Sequence, residues 1–374
     1  MTSESDGKRH ILQIFNSMEG GANIPKSMSQ SIRSDKIACD ALVLRASNLA
    51  GVEAFDSYEA SQLPKDAWKG IRLKIFAQLY KTLRARKPDV VVTHRYKEFI
   101  YALILVRWLK IPKMVSFFHG ERDFESKMRR TLTRILLDSR CTLVAVSPSV
   151  KNYITDSIGS AHTNTIKVVN NSVDFEKIKT GALSKKESRK FLALPQDAIV
   201  FGSVGRLVKT KGTETLVRAF IEVAAAIPNS LLLLMGEGED REKLELLIKE
   251  HNLESRVFMP GKIPEAFRYM QAIDYFVFPS IREGFGLALV EAMAARIPVI
   301  ASEIDVFKNM MVDKKYLVPV LNTKALSKAM VSISQESNDC LTTMVNAQYD
   351  FCYQHYSSVD AEKNYRELLL GVLG

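Results

Sequence analysis

Two carboxylates stand eight residues apart in a glycine-containing stretch of the C-terminal half. Glu283 follows an apolar run that ends at Pro279, and Glu291 lies inside the next apolar segment, where the pattern predicts a helix. Carboxylates accept hydrogen bonds from sugar hydroxyls. On a helix, this spacing spans about 12 Å, which matches the reach from a hexose to the ribose of a nucleotide-sugar. The alternative is one loop carboxylate and one solvated helical residue.

The residues between these glutamates are suited to approach a ligand through the backbone. Gly284 and Gly286 flank Phe285, and Leu287 opens the predicted helix. Glycine lets backbone N–H groups come close to a ligand, and the N-terminus of a helix attracts phosphate. This stretch therefore predicts a site for a phosphate-bearing ligand.

A basic loop follows another predicted strand, in the segment Gly205–Gly212. Arg206 can hold a phosphate with two N–H groups, and Lys211 supplies a point charge. Together they could neutralise a leaving diphosphate without a metal; the alternative is an ordinary exposed basic turn. The sequence contains no D-x-D, H-E-x-x-H, Walker A or complete G-x-G-x-x-G motif. We therefore expect neither a metal nor a nicotinamide cofactor.

Two further candidates follow predicted strands of the N-terminal half. His119 closes the segment Ser116–Gly120, and Gly21 lies in the loop after the first strand. In open parallel sheets, ligands bind beyond the carboxyl ends of the strands, which favours both residues. For a lone histidine or glycine pair, a structural role is the commoner one.

The elements that position these residues alternate between short apolar runs and longer helical patterns. This rhythm predicts parallel sheets covered by helices on both faces. In the first half, the predicted strands are residues 10–16, 41–45, 89–94, 113–119, 142–147 and 165–170. In the second half, they are residues 198–205, 231–236, 256–260, 275–279, 298–302 and 316–320.

The length of 374 residues is too great for one ordinary core and suits two α/β domains. We predict domains at residues 1–185 and 186–355, separated by a polar linker near Lys179–Lys190, and a terminal helix at 356–374 that returns to the first domain. No apolar run is long enough to span a membrane. The N-terminus does not resemble a signal peptide, and four scattered cysteines indicate a reduced, cytoplasmic location.

The net charge of +10 is concentrated in the first half of the chain. Residues 1–185 carry 30 Lys and Arg against 18 Asp and Glu, so 30 − 18 = +12. Such an asymmetry indicates that one domain meets an anionic partner. Nucleic acid, acidic lipid and a phosphorylated glycan all qualify, as does a basic face kept for solubility.

At this point the sequence resembles the retaining glycosyltransferases of family 4, which have the GT-B fold. The C-terminal resemblance covers most of residues 200–302, whereas the N-terminal one is thinner. The matching segments of the C-terminal half are Gly205–Leu207, Lys211-Gly212, Gly236–Gly238, Phe278–Ser280, the E-x7-E pair Glu283/Glu291 and Pro298–Ser302. In the N-terminal half they are Gly20-Gly21, His119, Ser147 and Val169–Asp174. The family has two Rossmann-like doubly wound domains facing a central cleft, with lipopolysaccharide-core glycosyltransferases among its members.

The resemblance implies roles for the matched residues. Arg206 and Lys211 would bind the donor diphosphate. Glu283 would lie beside the transferred sugar, and Glu291 would bind the ribose hydroxyls. His119 would contact the donor sugar near the reacting carbon. Backbone N–H groups of Gly284, Phe285, Gly286 and Leu287 would bind sugar and phosphate, and Gly21 would approach the phosphates.

Two segments depart from the family pattern. Ser172 stands where the family usually has glycine. After the position of Ser302, the family commonly has a glycine-rich turn that contains a glutamate, and residues 303–308 of this chain differ from that turn. Because that turn often helps to hold donor or acceptor, no site is carried over there.

The basic first half indicates the acceptor. Residues 65–87 form a predicted amphipathic helix whose stripe is Trp68, Ile71, Ile75, Leu79 and Leu83; residues 122–140 add Lys127, Arg129, Arg130 and Arg134. Membrane contact and core packing explain this helix equally well. The pattern favours an enzyme that uses a nucleotide-sugar, with UDP favoured, and an anionic or lipid-linked glycan at the inner membrane face. The alternatives are a nucleotide-sugar epimerase or hydrolase on the same fold and a nucleic-acid-binding protein, for which no RNA-binding signature stands out.

Overall fold

The structure, a computed structural model, describes residues 8–16, 23–45, 49, 52–61, 73–120 and 123–374. The chain forms two compact units. The first unit comprises the chain up to Asn171 together with Ser358–Gly374, and the second comprises Ser172–Ser357.

The first unit is built on a parallel sheet of seven strands in the order β3-β2-β1-β4-β5-β6-β7. Buried apolar runs form most of these strands: Val90, Val91 and Val92 are fully buried in β4, as expected for a strand covered on both faces. The strands are β1 Arg9–Phe15, β2 Ile37–Val43, β3 Tyr58–Ala60, β4 Val90–Thr93, β5 Lys113–Phe118, β6 Cys141–Ala145 and β7 Ile166–Val168.

Helices cover both faces of this sheet. A right-handed crossover between parallel strands fixes the face on which each helix lies. The α2 to α5 connections run in one direction along the sheet, and α1 runs in the other, where it packs against α14. The helices are α1 Asn23–Ile32, α2 Leu73–Arg86, α3 Tyr96–Trp108, α4 Lys127–Leu136, α5 Pro148–Ile158 and α14 Ser358–Leu373.

The second unit contains a parallel sheet of six strands in the order β10-β9-β8-β11-β12-β13. Its strands are β8 Ile199–Val204, β9 Ser230–Met235, β10 Val257–Gly261, β11 Tyr275–Phe278, β12 Val299–Ser302 and β13 Leu317–Val318. Its helices are α6 Phe175–Gly181, α7 Lys185–Phe191, α8 Thr213–Ala226, α9 Arg241–Glu250, α10 Leu287–Ala294, α11 Asp305–Met310, α12 Thr323–Ser334 and α13 Asn338–Tyr356. The predicted fold class, two doubly wound parallel-sheet units, is confirmed.

The predicted linker Lys179–Lys190 differs from what the structure shows. The segment lies in α6 and α7, within the second unit, and the chain divides earlier, after Asn171. The reason is Arg189, whose side chain is fully buried and bonded to Asp274 (2.7 Å) and to the Ala272 carbonyl (3.1 Å). A buried, paired guanidinium anchors α7 to its unit although the local sequence is polar.

The structure describes part of the apolar stripe predicted on residues 65–87. Ile75, Leu79 and Leu83 of α2 are buried, so the core-packing alternative holds for them, whereas Trp68 and Ile71 lie outside the described residues. Over the residues that the structure describes, no helix combines the length and the apolar character needed to cross a bilayer.

Candidate active site

The topological switch point of the second sheet lies between β8 and β11. The strand order runs outward from β8 through β9 to β10 on one side, and from β11 through β12 to β13 on the other. Loops that leave the carboxyl ends of two such strands diverge and open a crevice, where ligands bind in open α/β sheets. The segments Gly205–Gly212 and Pro279–Gly286 are those two loops.

The two loops are held against each other through their backbones. The Ile281 N–H donates to the Thr210 carbonyl over 2.9 Å. Gly212 has a φ of 64°, and a Cβ atom there would lie 2.0 Å from the Pro279 carbonyl oxygen. Because only glycine avoids this overlap and adopts the left-handed conformation without strain, the glycine fixes how closely the loops meet.

A lysine and a carboxylate meet across this contact. Lys211 Nζ forms an ion pair with Glu283 Oε1, and the Ser280 hydroxyl donates to the same oxygen over 2.9 Å. The Lys211 and Glu283 side chains are only 20% and 12% exposed. Lys211 Nζ also lies 5.1 Å from the centre of the Phe278 ring, a favourable cation–π distance. The predicted residues Lys211 and Glu283 are therefore brought together and held in place.

Arg206 and Lys211 border one cavity at the carboxyl end of β8. The N-terminus of α8 begins at its edge, so the helix dipole adds to the two positive side chains. Such an arrangement attracts an anion. The cavity is lined by Ser203, Val204, Gly205, Arg206, Leu207, Lys211, Thr213, Leu234 and Phe278.

Helix α10 begins too late for the distance between Glu283 and Glu291 to be taken from helical geometry alone. The helix begins at Leu287, so Glu283 lies in the preceding loop and a helical rise does not apply to the whole interval to Glu291. Gly286 caps the helix with a φ of 101°, and a Cβ atom there would lie 2.7 Å from the Phe307 ring. Phe307 belongs to the segment that departs from the family pattern, and it supports the loop from below.

The other residues of this loop have different environments. Phe285 is buried and packs edge-on against Tyr356 at 5.2 Å, whereas Leu287 is 42% exposed. The backbone N–H groups of the first turn of any helix lack intrahelical partners. Binding of sugar or phosphate by the N–H groups of Gly284, Phe285, Gly286 and Leu287 stays a prediction.

Glu291 is a half-buried carboxylate on α10. Within the described residues, no group donates a hydrogen bond to its side chain. Burial raises the pKa of Glu291 from 4.5 to about 7. A carboxylate that is partly shielded from water and receives no hydrogen bond from the described residues is suited to accept hydroxyl groups from a ligand.

The corresponding edge of the first sheet carries neutral rings. His119 follows β5, and its ring is stacked with that of His94 at 6.2 Å. Burial and the positive charge of Arg95 lower the pKa of His119 to about 4, so the imidazole is neutral near pH 7. Gly21, the other predicted residue of this unit, lies outside the described residues.

Several buried polar atoms at this edge have no hydrogen-bond partner in the part of the chain that is described. They follow β1, β4 and β7, and they comprise the Asn16, Asn170 and Asn171 side-chain oxygens and His94 Nδ1. The His94 Nε2 atom lies 3.1 Å from Gln13 Oε1. Because an amide oxygen only accepts, Nε2 carries the proton and Nδ1 is an acceptor. The edge therefore offers buried acceptors suited to hydroxyl groups.

Sequence reasoning missed three residues that support the site. Ser280 lies in the matching segment Phe278–Ser280, and its hydroxyl donates to Glu283. Phe278 and Phe307 pack beneath Lys211 and Gly286. All three residues lie at or shortly after the end of a strand, and that position was the sequence feature that could have indicated them.

Comparisons with known proteins place the chain in a family. Residues 184–348 match the family described as Glycosyl transferases group 1, and residues 30–177 match Glycosyltransferase Family 4. Together the two matches cover most of both units.

Three relatives share between 26% and 28% of aligned residues with this chain. An uncharacterised glycosyltransferase of Methanocaldococcus jannaschii is 27% identical over 63% of this chain and 61% of its own length. The UDP-Gal:alpha-D-GlcNAc-diphosphoundecaprenol alpha-1,3-galactosyltransferase of Escherichia coli is 28% identical over 73% and 75%. The alpha-monoglucosyldiacylglycerol synthase of Acholeplasma laidlawii is 26% identical over 76% and 77%. The chain thus spans less than two thirds of the first relative.

Two solved structures share the fold. Anabaena HepE in complex with UDP and glucose has a TM-score of 0.80 at 18% identity, covering 96% of this chain and 99% of its own. The lipopolysaccharide outer core galactosyltransferase WaaB, in its apo form, has a TM-score of 0.68 at 19% identity, covering 97% and 99%. At these identities the likeness shows the fold, which is GT-B. By its fold and by the family matches in both units, the chain belongs to the glycosyltransferases of family 4 and group 1.

Proposed function

We propose that this glycosyltransferase moves a sugar, with retention of configuration, from a UDP-sugar to a hydroxyl group of a lipid-linked or anionic glycan, such as lipopolysaccharide core. The observation that carries the proposal is the Lys211–Glu283 pair at the switch point of the second sheet. Residues 72 positions apart bring a cation and a carboxylate to one place, as a diphosphate beside a sugar requires.

The donor would be bound mainly by charge at one end and by hydroxyl acceptors at the other. Arg206, Lys211 and the N-terminus of α8 would hold the diphosphate. Glu283 would accept hydrogen bonds from the sugar, and Glu291 would accept them from the ribose. We propose that the cations and helix amides replace a metal at the diphosphate.

The reaction breaks the bond between the anomeric carbon and the diphosphate oxygen and forms a bond from that carbon to the acceptor oxygen. The sugar passes through an oxocarbenium-like state. The acceptor hydroxyl attacks from the side on which the diphosphate leaves, and its proton goes to the leaving oxygen. Arg206 and Lys211 stabilise the negative charge that develops on the diphosphate.

The acceptor proposal is supported by two observations. Two relatives are named for a diphosphoundecaprenol-linked sugar and for a glucosyldiacylglycerol. The first unit presents buried oxygen and nitrogen acceptors at the carboxyl edge of its sheet, which suit sugar hydroxyls. We propose that the protein acts at the inner face of the cytoplasmic membrane, and the role of His119 in sugar binding stays a prediction.

Thermal unfolding in the presence of UDP-, GDP- and ADP-sugars tests the donor proposal, with and without magnesium. At a ligand concentration about 100 times Kd, binding stabilises the native state by about 2.7 kcal/mol. We expect a shift of about 5 to 10 °C with UDP-sugars, independent of magnesium and lost in Lys211→Ala. A shift that requires magnesium would contradict metal-free binding.

Product analysis then separates transfer from the other chemistry of a nucleotide-sugar. We expect UDP to accumulate only when a glycan acceptor is present. Release of free sugar without acceptor would identify a hydrolase, and a changed sugar still attached to the nucleotide would identify an epimerase.

A further inference from the structure

Three neighbouring helices of the first unit form a continuous outer surface. Helices α2, α3 and α4 lie on the same face of the sheet because their crossovers run in the same direction. The Tyr96 hydroxyl donates to the Arg129 carbonyl (3.1 Å), and Arg107 donates to the Leu136 carbonyl (3.2 Å). These two bonds tie α3 to α4 at both ends. We name the outer surface of the three helices the α2–α4 face.

Large apolar side chains are exposed on the α2–α4 face. On α4 they recur every three or four residues, so they form one stripe along the outer side of the helix. The two most exposed ones reach 70% and 69%. The exposed apolar side chains of the face are Leu73, Ile104, Trp108, Met128, Leu132 and Ile135.

Aromatic pairs join α2 to α3 beneath this surface. The rings of Tyr80 and Trp108 are 5.2 Å apart, and those of Phe76 and Tyr101 are 6.1 Å apart. Trp108 nevertheless remains 64% exposed. A ring with an apolar body and a polar N–H is the side chain that favours the boundary between lipid and water.

Basic residues dominate the helices of the α2–α4 face, although Arg86 and Arg107 are paired with Asp40 and Asp138 of neighbouring segments. The three helices carry ten Lys and Arg and one acidic residue, so 10 − 1 = +9, and that acid, Glu98, is buried. Basic residues flank the apolar stripe of α4, as in helices that lie in a membrane interface. The ten basic residues are Lys74, Lys81, Arg84, Arg86, Lys97, Arg107, Lys127, Arg129, Arg130 and Arg134.

We infer that the α2–α4 face docks the protein on an anionic lipid bilayer, with the α4 stripe entering the headgroup region. Charge complementarity selects this partner. A second copy of the chain would oppose two basic faces in a symmetric contact, and nucleic acid would leave the apolar side chains without a partner. The inference deepens the proposed function, because it rests on a lipid-linked acceptor. Binding to vesicles can be measured without any sugar transfer, so the two proposals can be tested separately.

Sedimentation with vesicles tests the inference on the full chain. One vesicle preparation contains equal parts phosphatidylglycerol and phosphatidylcholine, and the other contains phosphatidylcholine alone. We expect partition onto the anionic vesicles only, weakened by salt. The double variant Leu132→Ser/Ile135→Ser should reduce the partition coefficient about tenfold or more, and Lys81→Gln or Lys127→Gln about fivefold each.

A matched control lies in the second unit. Leu246 on α9 is 62% exposed, close to the 69% of Ile135. Leu246→Ser should leave partition unchanged, whereas Ile135→Ser alone should reduce it. Because all these side chains are exposed, the variants should keep the unfolding temperature of the parent, and circular dichroism checks this.

The outcomes divide clearly. Undiminished binding in Leu132→Ser/Ile135→Ser, equal binding to phosphatidylcholine alone, or no binding to either vesicle would overturn the inference. Tighter binding to duplex DNA that ignores the double variant would overturn it in favour of nucleic acid. The nucleotide-sugar titration is independent: vesicle binding without any nucleotide shift would refute the proposed donor site alone, and the reverse result would refute docking alone.

Discussion

The two units use one architecture but differ in their outer helices. Helices α8, α9 and α12 of the second unit pack side by side and carry six basic and five acidic residues, so 6 − 5 = +1. On the α2–α4 face the corresponding sum is +9, and six large apolar side chains are exposed there against one, Leu246, on the second unit's three helices. A doubly wound sheet does not require such a surface, and we therefore propose a binding partner for it.

The carboxyl edges of the two sheets also differ in charge, but here the second unit carries the charged side chains. The second unit gathers charged side chains at its switch point, with Lys211 paired to Glu283. The first unit places His94 and His119 there, and burial lowers the pKa of both imidazoles. This difference in charge supports our proposal that a strongly charged ligand group binds the second unit and that uncharged hydroxyls bind the first.

Glu283→Ala is the most severe test of this division. We expect kcat/KM for sugar transfer to fall about 10³-fold, since the carboxylate that would bind the transferred sugar is removed. The variant should stay folded with a somewhat lower unfolding temperature, because the partly buried Lys211 loses its ion-pair partner. Steady-state assays with UDP-sugar and glycan acceptor measure the effect.

Glu303→Ala is the control for that variant. Glu303 is an exposed carboxylate after the neighbouring strand β12, where it contacts Lys308 at 3.4 Å. Its loss should leave transfer within about twofold, as is usual for an exposed ion pair. Equal losses in the two variants, or near-parent turnover in Glu283→Ala, would remove Glu283 from the site.

Lys211→Ala should have the next largest effect. The lysine supplies charge to the diphosphate, and its removal also leaves Glu283 without its cation, so transfer should fall about 10²-fold. The thermal shift with UDP-sugar should disappear at the same time. Lys209→Ala, in the same loop, is the comparison; if it proves equally harmful, the loss comes from overall charge rather than from the position of Lys211.

His119→Ala should reduce transfer about tenfold, the size of one lost hydrogen bond in a buried site. Because its pKa is about 4, His119 is neutral from about pH 5.5 upward and contributes no titration near pH 6.5. The pH profiles of kcat/KM for parent and variant should therefore have parallel shapes between about pH 5.5 and 8. A break near pH 6.5 that vanishes in the variant would show a protonated imidazole at work.

The sequence predicted the strands of both sheets from apolar runs, apart from β3 and the start of β2. Tyr58–Ala60 is a three-residue edge strand with Glu59 at its centre, so no apolar run marks it. In β2, Asp40 interrupts the run at residues 37–43; its carboxylate is accommodated by His10 (2.5 Å) and Arg86 (2.6 Å). Whether such a residue lies in a strand depends on partners far along the chain, and the local sequence pattern carries no information about them.

The sequence could indicate which loops form the candidate site, but not the side-chain contacts within it. Arg206, Lys211 and Glu283 could be proposed as site residues because charged residues and glycines follow apolar runs. The support from Ser280 and Phe307 could not, since it depends on how two loops and a divergent segment pack. The same holds for the environment of Glu291, whose burial changes its protonation.

Glu291→Gln sharpens the comparison by separating binding from stability. The folded pKa of Glu291, about 7, exceeds its ordinary value of 4.5, so ionising this half-buried carboxyl costs stability as pH rises from about 4.5 through 7. The amide does not ionise. We therefore expect the variant to unfold about 2 to 4 °C above the parent near pH 8 and at the parent's temperature near pH 4.5.

Ribose hydroxyls that donate to the carboxylate favour its ionised form. The affinity of the parent for UDP-sugar should therefore rise between about pH 6 and 8, whereas the weaker affinity of the variant should not change with pH. A variant that keeps the parent's pH dependence would show that another group titrates, and the ribose would then have to be held elsewhere on the second unit.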